Sequence, residues 1–272
     1  MEKDLVKLSI SPATATAAGL SEPASIATLS IERAHKSNAL NLETMAAFVA
    51  AVQQAGQDAS VRALVVTGAG DKAFVGGADI SQMADLDAPK AREFITSVHH
   101  CCDAVRQFGA PVIARINGVA FGAGLELAAA CDLRVAAEDA VLGMPEVKLG
   151  IPSVVEAALL PGLIGWGKTR EILMLGDSFS AQEALSWGLL NKVVPRAELD
   201  VAVNDWLTSL LANGPASVRL QKALISRWEQ VALPEAVSAG IDTFASAWRS
   251  DEPAAMMKAW RAAAAERKAR SE

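Results

Sequence analysis

The sequence predicts an α/β protein whose strands pair in parallel, followed by a C-terminal region that is helical throughout. Three observations carry this prediction. Between residues 26 and 136, short apolar runs of strand type alternate with longer stretches of helical periodicity, an order that favours crossover connections and parallel pairing. After about Pro195 the strand signals stop. Four further segments then read as helices, each opening near a proline or an acidic residue.

The elements follow in order. Residues 26–31 form a short apolar strand, and Asn41 caps a helix running through Val52. Residues 63–67 (ALVVT) are a compact strand ending at the turn Gly68-Ala69-Gly70. A helix is expected over 89–108, and a second buried strand over 111–116 (PVIARI), broken by Asn117-Gly118. Beyond it, 124–131 reads as helix and 133–136 as strand. The C-terminal helices are expected over 197–213, 215–231, 234–249 and 253–270. They carry Trp206, Trp228, Trp248 and Trp260, more apolar surface than a short appendage leaves exposed. Packing onto another subunit, or back over the core, is therefore expected.

Composition narrows the function classes. With 51% hydrophobic and 21% charged residues over 272 positions, the chain has the make-up of a soluble globular protein with ample core. Its net charge of −6 and lack of a basic stripe argue against a nucleic-acid partner. The cluster Arg261, Arg267, Lys268 and Arg270 is short, interrupted by Glu266, and reads as a solvated helix end. No apolar run approaches a membrane span, and the beginning MEKDLVKLSI lacks the cationic-then-apolar pattern of a secretory signal. Cys101, Cys102 and Cys131 are odd in number and lack metal-ligand spacing, so free thiols in a reducing cytoplasm are expected.

Three segments are too rich in small residues for ordinary core. In 72–80 (KAFVGGADI), two glycines followed by Ala78 let a backbone N–H approach a ligand unobstructed. In 116–132 (INGVAFGAGLELAAACD), Gly122-Ala123-Gly124 leads straight into a helix, whose first N–H groups are unpaired and sit at the positive end of the dipole. Two such donors facing each other make an oxyanion hole. In 143–150 (GMPEVKLG), Glu146 stands beside Pro145. Taken singly, glycine turns beside strands serve packing as readily as chemistry. Glu126 is more informative, because Leu125, Leu127, Ala128, Ala129 and Ala130 surround it with an apolar helix. A carboxylate there requires a partner or a task, and burial should raise its pKa towards general acid–base use. On local sequence, Glu146 fits a satisfied loop acid and a functional one equally well.

These strings, with SNALN (37–41), PEVKLGIP (145–152) and LGDSFSAQEALSWGLLNKVVP (175–195), resemble the enoyl-CoA hydratase/isomerase (crotonase) family from about Leu5 to the C-terminus. The resemblance implies a ββα spiral core over 1–195 that binds acyl-CoA, and a C-terminal helical trimerisation region over 196–272. It implies an enoyl-CoA hydratase that adds water across a trans-2-enoyl-CoA, with acyl-CoA as substrate and no metal or redox cofactor. The backbone N–H groups of Ala78 and Ala123 would hold the thioester oxygen; Ala123 stands where the family usually has Gly. Glu126 would orient and activate a water held between both carboxylates, and Glu146 would exchange the α-proton. Lys36, Ala39, Leu40, Phe74, Gly76, Gly77, Asp79, Ile80, Gly122 and Trp260 would border the coenzyme A path. The same resemblance implies a homo-oligomer, a trimer or a dimer of trimers.

Two departures stand out. Where many hydratases have a GAGGTQRL-like stretch, this chain has Ser153-Val154-Val155-Glu156-Ala157. Glu156 is either a third acid reaching the acyl pocket or the cap of the next helix, and the cap is the favoured reading. Trp260, in MMKAW, occupies a usual Phe position. Within the fold, a Δ3,Δ2-enoyl-CoA isomerase is the first alternative; a non-catalytic scaffold or RNA-associated homologue is the alternative from another class. LVVTGAG (64–70) resembles a dehydrogenase nucleotide loop, but no GxGxxG follows and the chain has no tyrosine. His99 and His100 are adjacent, about 100° apart on a helix, and make a poor metal pair. His35 reads as a surface or ligand-rim residue. Lys148, Lys168, Arg170 and Lys192 read as solvated or structural.

Overall fold

The computed structural model describes residues 5–13, 17–20 and 23–271, with side chains through Lys268. Residues 1–4 of the N-terminal segment and the side chain of Arg270 in the basic cluster lie outside the described residues. Six strands form the larger sheet in the order β1 (Val6–Pro12), β2 (Ser25–Ile31), β3 (Val61–Gly68), β5 (Val112–Ile116), β7 (Leu133–Ala137) and β10 (Lys192–Val194). Only the β1–β2 pair is antiparallel. A second sheet has the order β4 (Ala73–Val75), β6 (Val119–Phe121), β8 (Val141–Gly143), β9 (Ser178–Ser180).

The chain alternates between the two sheets: β3 leads to β4, β5 to β6 and β7 to β8. A helical segment follows each pair, which is the ββα spiral. After β4 come α2 (Ile80–Met83) and α3 (Ala88–Gln107), after β6 comes α4 (Ala123–Ala130), and after β8 come two 3-10 turns, Glu146–Leu149 and Val155–Leu159, then α5 (Leu160–Leu175). Asn117, between β5 and β6, ties the crossings together. Its amide donates to the carbonyls of Gly68 (2.9 Å), Gly70 (2.6 Å) and Ala73 (3.2 Å). A buried amide with its donors used in this way fixes the turn rather than weakening the core.

Strand β3 explains the layering. It is paired in parallel on both sides and buried on both faces, so it reads as a continuous apolar run. Leu64 and Val66 point to one face, where they meet Met45, Phe48 and Val52 of α1 (Leu42–Gln57) and Phe94, Val98 and Val105 of α3. Ala63 and Val65 point to the other, where α7 (Leu199–Ala212) packs through Leu199, Val203 and Leu207. Burying each such side chain stabilises the fold by roughly 1.5–3 kcal/mol. Asn41 caps α1 as the sequence predicts, accepting from the Thr44 N–H at 3.0 Å. After α6 (Ala181–Ser186) and α7, the chain continues as α8 (Pro215–Trp228), α9 (Leu233–Ala247) and α10 (Glu252–Ser271). The buried Glu252 carboxylate accepts from the Ala216 and Ser217 N–H groups, joining α10 to the start of α8. Trp206 is half-buried on α7, whereas Leu233, Val237, Ile241, Phe244 and Trp248 leave an apolar stripe along α9 exposed.

Candidate active site

Helix α4 supplies the centre of the site. Its first residue, Ala123, has a backbone N–H with no intrahelical partner, and Glu126 lies three residues on, on the same turn. Small residues allow this helix to start deep inside the molecule. Gly124 sits against β4, where a β-carbon would overlap the Val75 carbonyl. At the other end, the buried Arg134 guanidinium donates to the Cys131 carbonyl at 2.6 Å, to those of Ala128 and Ala129 at 3.4 Å, and to Leu189 at 2.7 Å. The helix is thus pinned at both ends.

The second carboxylate arrives from the turn after β8. Gly122 has φ +50°, a conformation that favours glycine, and a β-carbon on it would overlap Glu146 Oε1. The missing side chain is therefore what admits Glu146 to the start of α4. Ser153 Oγ donates to the other oxygen, Glu146 Oε2, at 2.8 Å. Ala78 faces the same region from the segment between β4 and α2. It forms an isolated parallel bridge with Leu40 in which Leu40 N–H donates to Gly77 and Asp79 N–H to Leu40, both at 2.8 Å. Neither of these bonds uses the Ala78 N–H.

Gly76, Gly77, Ala78, Ile80, Gly122, Ala123, Glu126 and Glu146 line one cavity of about 270 Å³. Its remaining wall is largely apolar and comes from residues the sequence reading did not select: Met83, Phe94, Val98, Phe121, Leu149 and Val154 among them. The i, i+4 spacing of Phe94 and Val98 on a predicted helix is the signal that could have found part of it. Lys148 also borders the cavity and is ion-paired with Asp177 at 2.5 Å. Glu126 is only 4% exposed, and its pKa is pushed up to about 8. Burial is the largest cause, followed by the charge of Glu146; the Ala157 N–H opposes them, Glu156 adds to the rise, and the Val154 N–H opposes it again. Glu126 therefore keeps its proton at neutral pH.

Several residues expected along the coenzyme path do not line this cavity. Phe74 is wholly buried in the core on β4 and does not line the cavity. Leu40 is buried in the bridge, and the carbonyl of half-buried Ala39 accepts from Arg33. The Asp79 carboxylate caps α2 and pairs with Arg33 at 2.9 Å. The Ser81 hydroxyl, against the cost of burial and with help from Arg33, holds it below the usual carboxylate range. Lys36 is exposed, on a loop joined to the cavity segment by the Gly76 N–H donating to the Ser37 carbonyl at 2.8 Å. Trp260 is exposed on α10 and is not part of the cavity wall.

Glu156 is not a helix cap. It lies within the 3-10 turn Val155–Leu159, buried, and its Oε1 meets His99 Nδ1 at 2.7 Å. A cap was expected because the residue precedes a helix; the intervening turn rotates it into the space between α3 and α4. The cysteines are buried free thiols, and burial pushes Cys101 and Cys131 up to about 12, which leaves them poor nucleophiles. Among the described residues, no group of three or more His, Cys, Asp or Glu is arranged to hold a metal ion, and no helix is long and apolar enough to cross a membrane.

The family model for enoyl-CoA hydratase/isomerase matches residues 21–264. A crotonyl-CoA hydratase of Syntrophomonas wolfei is 40% identical over 220 residues, spanning 80% of this chain and 85% of that protein. A short-chain-enoyl-CoA hydratase of Clostridium acetobutylicum is 33% identical over 89% of this chain and 93% of its own. Among solved structures, an enoyl-CoA hydratase from Bacillus anthracis superposes with a TM-score of 0.84 at 33% identity, covering 93% of this chain and 95% of that one.

Proposed function

We infer, from the premise that the chain belongs to the enoyl-CoA hydratase/isomerase family, that it is an enoyl-CoA hydratase adding water reversibly and syn across the double bond of a trans-2-enoyl-CoA. The observation that carries this reading is the convergence of two carboxyls with the Ala78 and Ala123 segments in one mainly apolar cavity.

The chemistry follows from what those groups can do. The two backbone N–H groups hold the thioester oxygen as it takes on enolate charge, an interaction that strengthens towards the transition state and is worth about 3 kcal/mol per donor. Addition needs one carboxylate to accept a proton from water and one carboxylic acid to give a proton to the α-carbon. With the proton resting on Glu126, a water between the carboxyls first passes it to Glu146. Glu126 then takes a proton from that water as its oxygen bonds to the β-carbon, and Glu146 delivers its own to the α-carbon. Afterwards the pair still holds one proton. Ser153 keeps Glu146 oriented throughout.

The coenzyme lies along the loop carrying Lys36 and the segment Gly76–Gly77, where small residues and an exposed cation suit pantetheine and phosphate. The exposed stripe on α9 is the surface through which copies associate as a trimer or a dimer of trimers. The test is the decay of enoyl-thioester absorbance when crotonyl-CoA is added. Wild type should consume it, and Glu126→Gln and Glu146→Gln should each lose activity by orders of magnitude. A wild type inert to crotonyl-CoA that isomerises a 3-enoyl-CoA overturns the hydratase reading. Full activity in both variants overturns the site assignment.

A further inference from the structure

Ala78 lines the cavity on a segment that has little local structure to hold it. Before it stand Gly76 and Gly77, the latter at φ +112°, and after it Asp79 opens α2, a helix of only four residues. Its pairing is equally slight, since the Leu40–Ala78 bridge is isolated and belongs to no strand. Glycine loses more conformational freedom on ordering than any other residue, so this stretch needs an anchor from outside itself.

That anchor is Arg33, which follows the end of β2 and is 8% exposed. Nη1 of its guanidinium donates to the Ala39 carbonyl, and Nη2 donates to the Asp79 carboxylate at 2.9 Å. Ala39 and Asp79 are the chain neighbours of the bridged residues Leu40 and Ala78, so one planar group clasps both sides of the bridge. Arg33 is in turn held from behind. Its backbone N–H donates to Asn38 Oδ1 at 3.1 Å, and the Asn38 amide donates to the Ala69 and Ala73 carbonyls at 3.0 and 2.8 Å. Contacts therefore run from the large sheet through Arg33 to both flanks of Ala78, and none of them uses the Ala78 N–H.

A plain staple between two loops does not require this residue. Burying a charge costs stability unless it is paired and hydrogen-bonded, and neutral groups can join two loops. What a guanidinium adds is geometry: a rigid fork that fixes two acceptors relative to each other, which a lysine ammonium does not supply. We propose that Arg33 is a positioning residue for the oxyanion donor, its fork fixing the direction of the Ala78 N–H by clasping Ala39 and Asp79. This rests on the reading of that N–H as a donor to the thioester oxygen. Arg33 lines no part of the cavity and acts through Ala78.

The test reads polarisation of a bound thioester as well as turnover. Butyryl-CoA has no double bond to hydrate; isotopically labelled at its thioester carbonyl, it reports hydrogen bonds to that oxygen through its infrared band. On saturated wild type the band should lie at lower frequency than in free ligand. Arg33→Lys keeps the charge and loses the fork. Its downshift should shrink by about half, as one of two donors turns away, and kcat with crotonyl-CoA should fall about 10-fold with KM little changed. Asp79→Asn gives up the ion pair while keeping an acceptor for Ser81; it must move the band the same way, and serves if Arg33→Lys folds poorly. Glu252→Gln loosens the joint between α8 and α10 and is the control: Tm should fall and the band stay with wild type. A band weakened equally in Glu252→Gln would mark general loosening and overturn the proposal. So would a rise in KM alone in Arg33→Lys, which would assign Arg33 to the Lys36 loop. A wild type that binds butyryl-CoA with no downshift would sink the reading of the functional site; a wild-type downshift kept whole in folded Arg33→Lys or Asp79→Asn would sink this proposal only.

Discussion

Replacing Glu126 by Gln should make the protein more stable in alkaline solution while abolishing its activity. Glu126 has a folded pKa of about 8 against an ordinary value of 4.5. A carboxyl raised in this way contributes stability that is fully present below 4.5 and is lost as pH rises through 8, because over that window the folded state holds a proton the unfolded chain has released. The full span corresponds to at most about 5 kcal/mol. Glutamine keeps the shape and does not titrate. Between pH 6 and pH 8 the variant should therefore gain about 2 kcal/mol on wild type. For a chain of this length that is roughly 5 °C in Tm. The assay is a pair of thermal melts at pH 6, 7, 8 and 9, at fixed protein concentration because association contributes to Tm. A Tm difference between variant and wild type that stays flat from pH 6 to pH 9 would refute the assignment of the proton to Glu126.

Two further predictions concern the oxyanion donor and the exposed stripe. Ala123→Pro removes one N–H at the first position of α4, where proline is tolerated; kcat should fall by about 10²–10³-fold while the melting curve shifts little, and an unaffected kcat would remove Ala123 from the reaction. Ile241→Asp puts a charge in the α9 stripe, where Ile241 is 67% exposed in the single chain; sedimentation should show smaller species, and an unchanged sedimentation coefficient would direct attention to another interface.

Four strands of the large sheet, β2, β3, β5 and β7, were legible because they are long enough to carry a pattern. ALVVT at 63–67 and PVIARI at 111–116 are apolar but for Thr67 and Arg115, and a strand buried on both faces has that signature. The second sheet was not, since β4, β6, β8 and β9 have three residues each, too few for a period to show. That is also why Phe74 looked like part of a ligand path: nothing local to KAFVGGADI says which side chain turns inward. Glu126 stood out for being a charge among alanines and leucines. Glu146 did not, because the glycine that admits it, Gly122, is 24 positions earlier in the chain, and only the folded structure brings the two together. Glu156 was misread for a related reason. Its partner, His99, lies 57 residues away on a helix whose histidines read only as a poor metal pair.

The pinning of α4 has a consequence for how this scaffold can change. Ala123 and Glu126 share one turn, and Gly124 and Arg134 deny that turn any freedom to slide. The separation between the Ala123 N–H and the Glu126 carboxyl is thus set by a helical pitch. The apolar wall of the cavity, Phe94 and Val98 on α3 and Leu149 on a turn, belongs to other elements. Substitutions there can reshape the cavity and leave the spacing on α4 untouched.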